Sequence, residues 1–381
     1  MPSTLTEPTL LHWTEHAAEQ TARWRSESGI APPRRVILAD DRMPADEAYR
    51  AASQGTGLLW RGDFQNARQL VQAIARRADR RPRKPAPDLT TAFHQMRLAQ
   101  SQRARLLAMV LIEVGPDYTI ALRRAPDLRD ACAQAWGPAD DQRQVCPLRE
   151  LLGLVGAYEW RKKGVEVAAL GARIHAHYGV FAPTRQEYVA LVKQAPLPPG
   201  ADLAIDLGTG TGVLAAVLAK RGVAKVIATD LDPRAIACAR DNLERLGLTT
   251  QVELVQADLY PPEPAALVVC NPPWVPARPS STLERAVYDP DSAMLRGFLA
   301  GLAAHLRPGG EGWLILSDLA EHLGLRTREQ LLGWIEAAGL RVLGRLDQRA
   351  VHPRSTDADD PLHAARKAEV TSLWRLGRAA D

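Results

Sequence analysis

Apolar residues recur along residues 201–376 in two alternating patterns, short continuous runs and longer segments with helical spacing. The short runs predict strands, and the longer segments predict helices between them. Because the two alternate, we expect an α/β fold with a doubly wound, mainly parallel sheet covered by helices on both faces. The seven expected strands are 201–207, 224–229, 252–255, 266–270, 313–316, 340–346 and 370–376, of which the last two should pair antiparallel at one edge. The expected helices are 213–221, 233–246, 292–306 and 327–338.

Turn and cap residues mark where several of these elements begin and end. The prolines of Pro-Leu-Pro-Pro-Gly at 196–200 separate the α/β region from the residues before it. Asp232 before Pro233 predicts the start of a helix, since an aspartate caps free N–H groups and proline fits the first helical position. Gly247 predicts the end of that helix, and Arg-Pro-Gly-Gly at 307–310 predicts a turn.

The first 165 residues give weaker signals. Their pattern predicts one short strand and two helices, at 35–39, 66–77 and 91–111. We therefore expect an N-terminal domain at 1–165 that is mixed or mostly helical. A connecting segment at 166–200 and the α/β domain at 201–381 should follow it.

The composition is that of a globular protein, with 46% hydrophobic and 24% charged residues. No apolar stretch approaches the roughly 18 residues of a membrane-spanning helix. The N-terminus also lacks the basic and apolar regions of a secretory signal. We therefore expect a cytoplasmic protein with no membrane partner.

Cysteine and histidine give no strong metal signal. The four cysteines include no Cys-x-x-Cys pair, so neither a disulfide framework nor a thiolate zinc site is expected. His175 and His177 could suggest a metal pair, but no third ligand lies nearby in the sequence. We interpret both histidines as structural and expect no metal.

The net charge of +4 arises entirely within residues 1–150, which contain 22 Lys and Arg against 18 Asp and Glu. The excess is densest at 75–85, Ala-Arg-Arg-Ala-Asp-Arg-Arg-Pro-Arg-Lys-Pro. This basic segment could contact RNA phosphates or an acidic protein. An exposed helix end that runs into a proline-rich linker would have the same composition, and the sequence leaves both interpretations open.

A glycine turn follows the first strand of the α/β region, in the sequence Asp206-Leu-Gly-Thr-Gly-Thr-Gly212. Glycines let the backbone bend tightly and let a cofactor approach it. In a doubly wound sheet this turn lies at the carboxyl ends of the strands, where ligands bind. Asp230 ends the second strand and could bond both hydroxyls of a ribose. Asp258 closes the third strand, where it could meet an adenine amino group.

The glycine turn alone is a weak signal, because NAD and FAD proteins share it and a tight turn can form without a ligand. A nicotinamide oxidoreductase would explain the glycines and Asp230. It would give no role to Asn271-Pro-Pro-Trp274, which follows the fourth strand. In isolation, this second motif could be a strand-terminating turn whose tryptophan packs into the core.

Together the two motifs resemble the class I S-adenosylmethionine-dependent methyltransferases that carry an Asn-Pro-Pro-aromatic motif after the fourth strand. The resemblance covers residues 178–376 and implies a Rossmann-like fold with S-adenosylmethionine as cofactor. The cofactor-binding residues that it implies are Asp206, Gly208, Thr209, Gly210, Gly212, Asp230, Leu231, Asp258, Leu259 and Asn271. The catalytic residues that it implies are Asn271, Pro272, Pro273 and Trp274.

The second motif suits methyl transfer to a planar nitrogen. An amide or exocyclic amino nitrogen is a poor nucleophile because its lone pair is delocalised. If the Asn271 side-chain oxygen and the Pro272 carbonyl each accept one N–H, the lone pair is aimed at the methyl group. Proline fixes the backbone direction, and Trp274 can stack on the acceptor plane. Orientation and desolvation should then dominate, with no strong general base.

Two flanking segments favour a protein acceptor. Residues 289–297, Asp-Pro-Asp-Ser-Ala-Met-Leu-Arg-Gly, and residues 181–187, Phe-Ala-Pro-Thr-Arg-Gln-Glu, are similar to segments of protein glutamine methyltransferases. Those enzymes act on release factors and ribosomal proteins. The similarity makes Phe181, Arg185 and Trp274 the candidate substrate-binding residues.

The match to those enzymes has departures. Trp274 replaces the usual tyrosine, Ser317 stands where a glutamate often ends the fifth strand, and the prolines around Arg185 are arranged differently. The N-terminal part is also longer than their short helical domain. Ribosomal RNA guanine-N2 methyltransferases have a long N-terminal domain, which is sometimes a degenerate copy of the catalytic one. Residues 35–40 could start such a copy, but no glycine turn follows them.

We therefore expect N-methylation of a planar amide or amino nitrogen, with a glutamine side chain of a translation-related protein as the first hypothesis. The N-terminal domain would recognise this macromolecular acceptor. A ribosomal RNA or other nucleic-acid base, at guanine N2 or adenine N6, is the main alternative because the basic excess favours RNA. A small-molecule acceptor, or cofactor binding without catalysis, also stays open.

Overall fold

A computed structural model describes residues 9–80, 85–281, 283–349, 357 and 359–379. The chain divides into two compact units. Met1–Pro85 and Gln95–Glu159 form the N-terminal unit, and Ala86–His94 and Trp160–Asp381 form the C-terminal unit. Residues 81–84 of the basic segment lie outside the described residues. In the described part of the chain, no helix is long and apolar enough to cross a membrane.

The N-terminal unit is a mixed α/β structure. Its strands are β1 (Leu10–Glu15), β2 (Ala18–Trp24), β3 (Arg35–Ala39), β4 (Thr56–Trp60), β5 (Val110–Val114) and β6 (Gln144–Pro147). The helices are α1 (Ala45–Ser53), α2 (Phe64–Asp79), α3 (Leu89–Leu107), α4 (Arg129–Trp136) and α5 (Leu148–Lys163). The division between the units falls within α3 and within α5.

The six strands of this unit form one sheet in the order β1-β2-β6-β5-β4-β3. The expected strand at 35–39 and helix at 66–77 are confirmed, and the N-terminal unit is mixed rather than mostly helical. The helix expected at 91–111 was too long, because α3 ends at Leu107 and Val110 begins the buried strand β5. Residues 106–112 are continuously apolar, and such a run does not distinguish a helix end from a buried strand.

The C-terminal unit continues with a hairpin of β7 (Val165–Val167) and β8 (Ala172–Ile174), then α6 (Glu187–Gln194). The strands of its large sheet are β9 (Leu203–Leu207), β10 (Lys225–Asp230), β11 (Val252–Gln256), β12 (Ala265–Cys270), β13 (Leu306–Ser317), β14 (Leu340–Arg349) and β15 (Val370–Arg378). The other helices are α7 (Val213–Lys220), α8 (Pro233–Leu246), α9 (Ala293–His305), α10 (Leu319–His322), α11 (Arg328–Ala337) and α12 (His363–Ala368).

The large sheet has seven strands in the order β11-β10-β9-β12-β13-β15-β14. Strands β9 to β13 are parallel to one another. Strand β15 lies between β13 and β14 and runs antiparallel to both. This order confirms the doubly wound, Rossmann-like fold and the antiparallel pair at one edge. The strand order reverses between β9 and β12, which places a ligand-binding crevice beyond their carboxyl ends.

The N-terminal sheet does not repeat this topology. There, β3, β4 and β5 are parallel, but the next strand along the chain, β6, pairs antiparallel with β5. In the large sheet, β9, β10 and β11 are also parallel, but the next strand, β12, returns to pair in parallel with β9. The two units are therefore built on different sheets, and the N-terminal unit is not a copy of the C-terminal one.

The core of the C-terminal unit lies on both faces of the large sheet. Successive residues of β12 enter opposite apolar clusters, Leu267 and Val269 on one face and Val268 and Cys270 on the other. A strand that is buried on both faces needs a continuous apolar run, which is what the sequence has at this position. Helix α7 is also buried over almost its whole length, so β9 and α7 hold the turn between them rigidly.

The end signals of α8 are confirmed. The Asp232 carboxylate accepts from the Arg234 N–H, Pro233 is the first helical residue, and Gly247 ends the helix with a left-handed φ of +69°. The turn expected at 307–310 lies within β13 instead. Leu306 pairs with Ala265 before it and Glu311 pairs with Leu267 after it, so the extra residues form an irregularity inside the strand.

An ion pair between the buried Glu311 and the partly exposed Arg375 fixes β15 against β13. Arg375 Nε and Nη2 donate to Glu311 at 2.7 and 2.5 Å, and the Trp313 indole N–H donates to the same carboxylate at 3.0 Å. We expect Arg375→Met to lower the free energy of unfolding by about 3–5 kcal/mol, because Glu311 is left as a buried charge without its cation. Urea unfolding of the full chain measures this loss.

The matched control is the double variant Glu311→Leu with Arg375→Met. It removes both charges, so it should recover most of the stability that the single variant loses. A double variant that is as unstable as Arg375→Met would show that the ion pair is not what Arg375 contributes.

Candidate active site

The glycine turn follows β9 at the middle of the large sheet, with β10 and β12 on either side. Gly208, Gly210 and Gly212 all have left-handed φ angles, between +55° and +79°. A Cβ on Gly208 would lie 2.6 Å from the Met294 side chain, whereas a Cβ on Gly210 would meet nothing within 4 Å. Met294 therefore closes one side of the turn, and the backbone at Gly210 stays open to a ligand.

Asp206, the last residue but one of β9, fixes the glycine turn through its side chain. Its side chain is buried, and Oδ2 accepts from the Thr209 hydroxyl at 2.6 Å and from the Ala215 N–H at 3.0 Å. Burial raises the pKa of Asp206 to about 6, although both hydrogen bonds lower it. The carboxylate thus ties the strand end to the first turn of α7, with Thr209 in between.

Asp230 ends β10 next to the glycine turn. Its Oδ2 accepts from the Gly210 N–H at 2.9 Å, and its Oδ1 accepts from the Asp232 N–H at 2.9 Å. Burial raises the pKa of this carboxyl above its usual range. A carboxylate has about four acceptor positions, so those that the backbone N–H groups leave open can accept from a ligand hydroxyl.

The residues beyond Asp230 and β11 border the same crevice. Leu231 is 64% exposed, which makes it an uncovered apolar side chain at the sheet edge. Asp258 is exposed two residues after the end of β11. Leu259 has a left-handed φ of +66°, and its carbonyl accepts from the Thr229 hydroxyl at 2.6 Å. The structure thus places all three beside the end of β10.

Asn271 follows β12, whose last residue Cys270 pairs with Leu207 of β9. The carboxamide therefore lies beside the glycine turn, at the point where the strand order reverses. Its Oδ1 accepts from the Trp274 indole N–H at 2.8 Å. The side chain of the motif's last residue thus orients that of its first, while Pro272 is buried and Pro273 is half-buried between them.

Trp274 is held by two arginines. The Arg326 guanidinium is buried and lies 3.4 Å from the Trp274 carbonyl. The Arg185 guanidinium lies over the indole ring, 4.6 Å from its centroid. Phe181 is half-buried before α6, and within the described residues it makes no ring contact with Trp274. Of the candidate substrate-binding residues, the structure thus brings Arg185 and Trp274 into contact.

Comparison with known proteins shows the family of this chain. Residues 171–333 match the family model "Methyltransferase small domain". A release factor glutamine methyltransferase from Deinococcus radiodurans is 31% identical over 254 residues, which cover 63% of this chain and 82% of that protein. The chain belongs to the class I S-adenosylmethionine-dependent methyltransferase family.

Two further relatives of this chain have names that differ from each other. A release factor glutamine methyltransferase from Cereibacter sphaeroides is 36% identical over 182 residues, which cover 43% of this chain and 63% of that protein. A tRNA1(Val) (adenine(37)-N6)-methyltransferase from Shewanella amazonensis is 31% identical over 170 residues, which cover 40% of this chain and 72% of that protein. The alignment thus spans less than two thirds of the Cereibacter sphaeroides protein.

The candidate site includes side chains that the sequence did not indicate. Glu369, just before β15, has a buried carboxylate that accepts from the Ser317 hydroxyl at 2.5 Å. Ser317 was noted because a glutamate often ends the fifth strand, and the structure brings a carboxylate to it from 52 residues further along the chain. Arg326, which contacts the Trp274 carbonyl, also had no signal in the sequence. Both contacts are long-range, so no local pattern could reveal them.

Asp289 fixes the segment after the Asn-Pro-Pro-Trp motif. Its oxygens accept from the Met294 and Leu295 N–H groups at the start of α9, at 3.0 and 3.2 Å. Burial raises the pKa of this carboxyl, while the backbone N–H groups lower it. Asp289 therefore positions α9 so that Met294 covers Gly208.

His175 and His177 have structural partners. Nδ1 of His175 lies 2.7 Å from the Arg161 carbonyl, and Nε2 of His177 lies 3.2 Å from Asp241. Burial lowers the pKa of His177. No group of three or more His, Cys, Asp or Glu side chains that could hold a metal ion occurs among the described residues.

We expect Asp206→Asn to remove a pH-dependent loss of folding stability from the protein. The pKa of Asp206 is raised from 3.8 to about 6, so the folded state binds this proton more tightly than the unfolded state. The stability that protonated Asp206 provides at low pH is therefore lost as the pH rises through about 4 to 6. The loss is about 3 kcal/mol, at about 1.4 kcal/mol per unit of pKa shift.

Urea unfolding of wild type and Asp206→Asn between pH 4 and pH 8 measures this loss. An asparagine oxygen can still accept from Thr209 and Ala215, so the variant should fold. Titrating groups that do not interact with Asp206 contribute equally to both proteins, so the difference between the two curves should grow from pH 4 to pH 6 and change little above it. Parallel curves over the whole range would contradict the raised pKa.

Proposed function

We propose that the protein binds S-adenosylmethionine and methylates the side-chain amide nitrogen of a glutamine in a translation-related protein. The position and orientation of Asn271 carry this proposal. Its carboxamide lies beside the glycine turn and is fixed by the Trp274 indole N–H. An acceptor group and a cofactor turn at adjacent strand ends are what direct methyl transfer requires.

The residues beyond the strand ends fit the cofactor. Gly210 offers open backbone, Asp230 offers the remaining acceptor positions of its carboxylate to the ribose hydroxyls, and Asp258 is exposed for the adenine amino group. The uncovered Leu231 side chain provides an apolar surface for a flat ring. When bound, S-adenosylmethionine supplies an electrophilic methyl group on a positively charged sulfur.

Asn271 and Pro272 would orient the acceptor nitrogen. The Asn271 oxygen uses one acceptor position for Trp274, and it keeps a second for an N–H of the acceptor. The Pro272 carbonyl can accept the other N–H, which holds a primary amide in one plane. Because the lone pair of that nitrogen is perpendicular to the plane, this geometry determines where it points.

Charges beside the motif support a neutral acceptor. Three buried carboxylates, Glu187, Asp289 and Glu369, lie in this region with two arginines, Arg185 and Arg326. This set has no positive excess for a phosphate backbone to neutralise. The names of the relatives from Deinococcus radiodurans and Cereibacter sphaeroides support the same choice, since both are glutamine methyltransferases.

A nucleic-acid base is the second candidate. The relative from Shewanella amazonensis is named as a tRNA adenine methyltransferase, and the positive excess of this chain lies in residues 1–150. We propose that the N-terminal unit recognises the macromolecular acceptor in either case. Its separate sheet and its charge distinguish it from the C-terminal unit, which holds the cofactor residues.

We expect Asn271→Ala and Asp230→Ala to separate transfer from cofactor binding. Asn271→Ala should lower kcat by about 100-fold or more, since it removes the oriented acceptor of a hydrogen bond at the reacting nitrogen. Its affinity for S-adenosylmethionine should change little. Asp230→Ala should weaken that affinity by about tenfold or more, since it removes a charged acceptor of hydrogen bonds. Calorimetric titration and single-turnover assays measure the two effects.

Asp202→Ala is the matched control for Asp230→Ala. It also removes one carboxylate from a residue next to a strand of the large sheet. Asp202, however, lies at the amino end of β9, where it pairs with Arg307. It should keep wild-type affinity and turnover. Full activity in Asn271→Ala would overturn the proposed orientation of the nitrogen.

The acceptor class can be read from one labelling experiment. The protein is incubated with tritiated S-adenosylmethionine and with extract and ribosomes from cells that lack it. The products are then digested with protease or with nuclease. Release of the label from the macromolecular fraction by protease, with methylglutamine after complete proteolysis, is the expected result. Release by nuclease alone would replace glutamine with a nucleic-acid base as the acceptor.

A further inference from the structure

Arg185 has all its nitrogens engaged by the protein. Nε lies 2.6 Å from Glu187, Nη1 lies 2.9 Å from Glu369, and Nη2 lies 3.4 Å from the Thr371 hydroxyl. Each of its three nitrogens therefore already faces a protein oxygen. A guanidinium has five N–H donors, and with three of them directed at protein oxygens the protein itself fixes the orientation of this side chain.

The contacts of Arg185 are buried and come from distant parts of the chain. The Glu187 and Glu369 side chains are 4% and 3% exposed, and they approach the guanidinium from residues that are 182 positions apart. Glu369 also accepts from Ser317 at the end of β13. Since a planar guanidinium with two fixed carboxylates has one orientation, the ring that it covers is fixed as well.

Arg185 covers one face of the Trp274 indole, at 4.6 Å from the ring centroid. A planar acceptor therefore cannot stack on that face. A cation above an indole also draws electron density from the ring, which strengthens the N–H as a donor. That N–H is the group that holds the Asn271 oxygen, at 2.8 Å. Three side chains are thus in contact in series: Arg185 contacts Trp274, and Trp274 contacts Asn271.

We infer that Arg185 is a positioning residue for methyl transfer, which acts through Trp274 on Asn271. It fixes the indole plane, and the indole N–H then orients the Asn271 carboxamide so that its remaining acceptor position faces the substrate nitrogen. This inference deepens the proposed function and rests on it. It also gives Trp274 a role that a phenylalanine or a tyrosine lacks, since neither ring has an N–H group at this place.

A double-mutant cycle of Arg185→Lys and Trp274→Phe tests the inference. Lysine keeps the positive charge between Glu187 and Glu369 but lacks the planar guanidinium. Phenylalanine keeps an aromatic ring but lacks the indole N–H. Each single variant should lower kcat by about tenfold, the size expected for one lost hydrogen bond near the reacting group. The dissociation constant for S-adenosylhomocysteine should stay unchanged in both.

The double variant decides between coupled and separate roles. If both residues act through Asn271, the double variant should lose about as much kcat as either single variant. A fall of about 100-fold, the product of two independent effects of about tenfold, would overturn the inference. So would a loss that appears only in cofactor binding, because a positioning role acts on the acceptor side.

A second readout needs no acceptor and no turnover. The indole N–H resonance of Trp274 is assigned in a ¹⁵N-correlated NMR spectrum as the signal that Trp274→Phe removes. It should shift in Arg185→Lys and in Asn271→Ala. An unshifted Trp274 signal in Arg185→Lys would overturn the inference even if methyl transfer to glutamine is established. A shifted signal would support it even if the acceptor proves different.

Arg221→Lys is the matched control for the spectrum. The Arg221 guanidinium lies 5.8 Å from the ring centroid of Trp313, in the same unit, and makes no described contact with the Asn-Pro-Pro-Trp motif. This variant should leave the Trp274 signal unchanged. If it moves Trp274 as much as Arg185→Lys does, the shift reflects general destabilisation and the inference fails.

Discussion

The site depends on the parallel pairing of β9 with both of its neighbours. Parallel strands present their carboxyl ends at the same edge of a sheet, so the residues that follow β9, β10 and β12 meet there. The chain leaves β9 in one direction and returns to β12 on its other side, which opens the crevice between two loops. The glycine turn, Asp230 and Asn271 are distant in sequence, and this pairing alone makes them neighbours.

Buried carboxylates then fix the loops beyond the strand ends. Asp206, Asp230 and Asp289 each accept backbone N–H groups from a turn or from the start of a helix. In each case burial raises the pKa while those hydrogen bonds lower it. The net direction is upward for all three, so the protein alone does not fully compensate these negative charges. A positively charged cofactor bound beside Asp206 and Asp230 would offset part of this cost.

The features that could be predicted from the sequence have local causes. A strand buried on both faces needs a continuous apolar run. Asp232 and Pro233 mark the start of α8, and Gly247 marks its end. The fold and the glycine turn follow from signals of this kind. The N-terminal sheet and the contact of Arg185 with Glu369 depend instead on pairings between distant segments. The sequence predicts a turn at 307–310 instead of an irregularity within β13 for the same reason. Only the pairing with Ala265 shows that Leu306 already belongs to the strand.

The same division between local and distant contacts bears on the choice of acceptor. The four residues from Asn271 to Trp274 can orient any planar nitrogen, since they offer two carbonyl acceptors and a ring. They therefore suit a glutamine amide and an adenine amino group equally well, and relatives with both names match this chain. Discrimination must come from side chains that the motif does not contain. Arg185, Glu369 and Arg326 are such side chains, because they determine the charge and the free ring face next to Trp274.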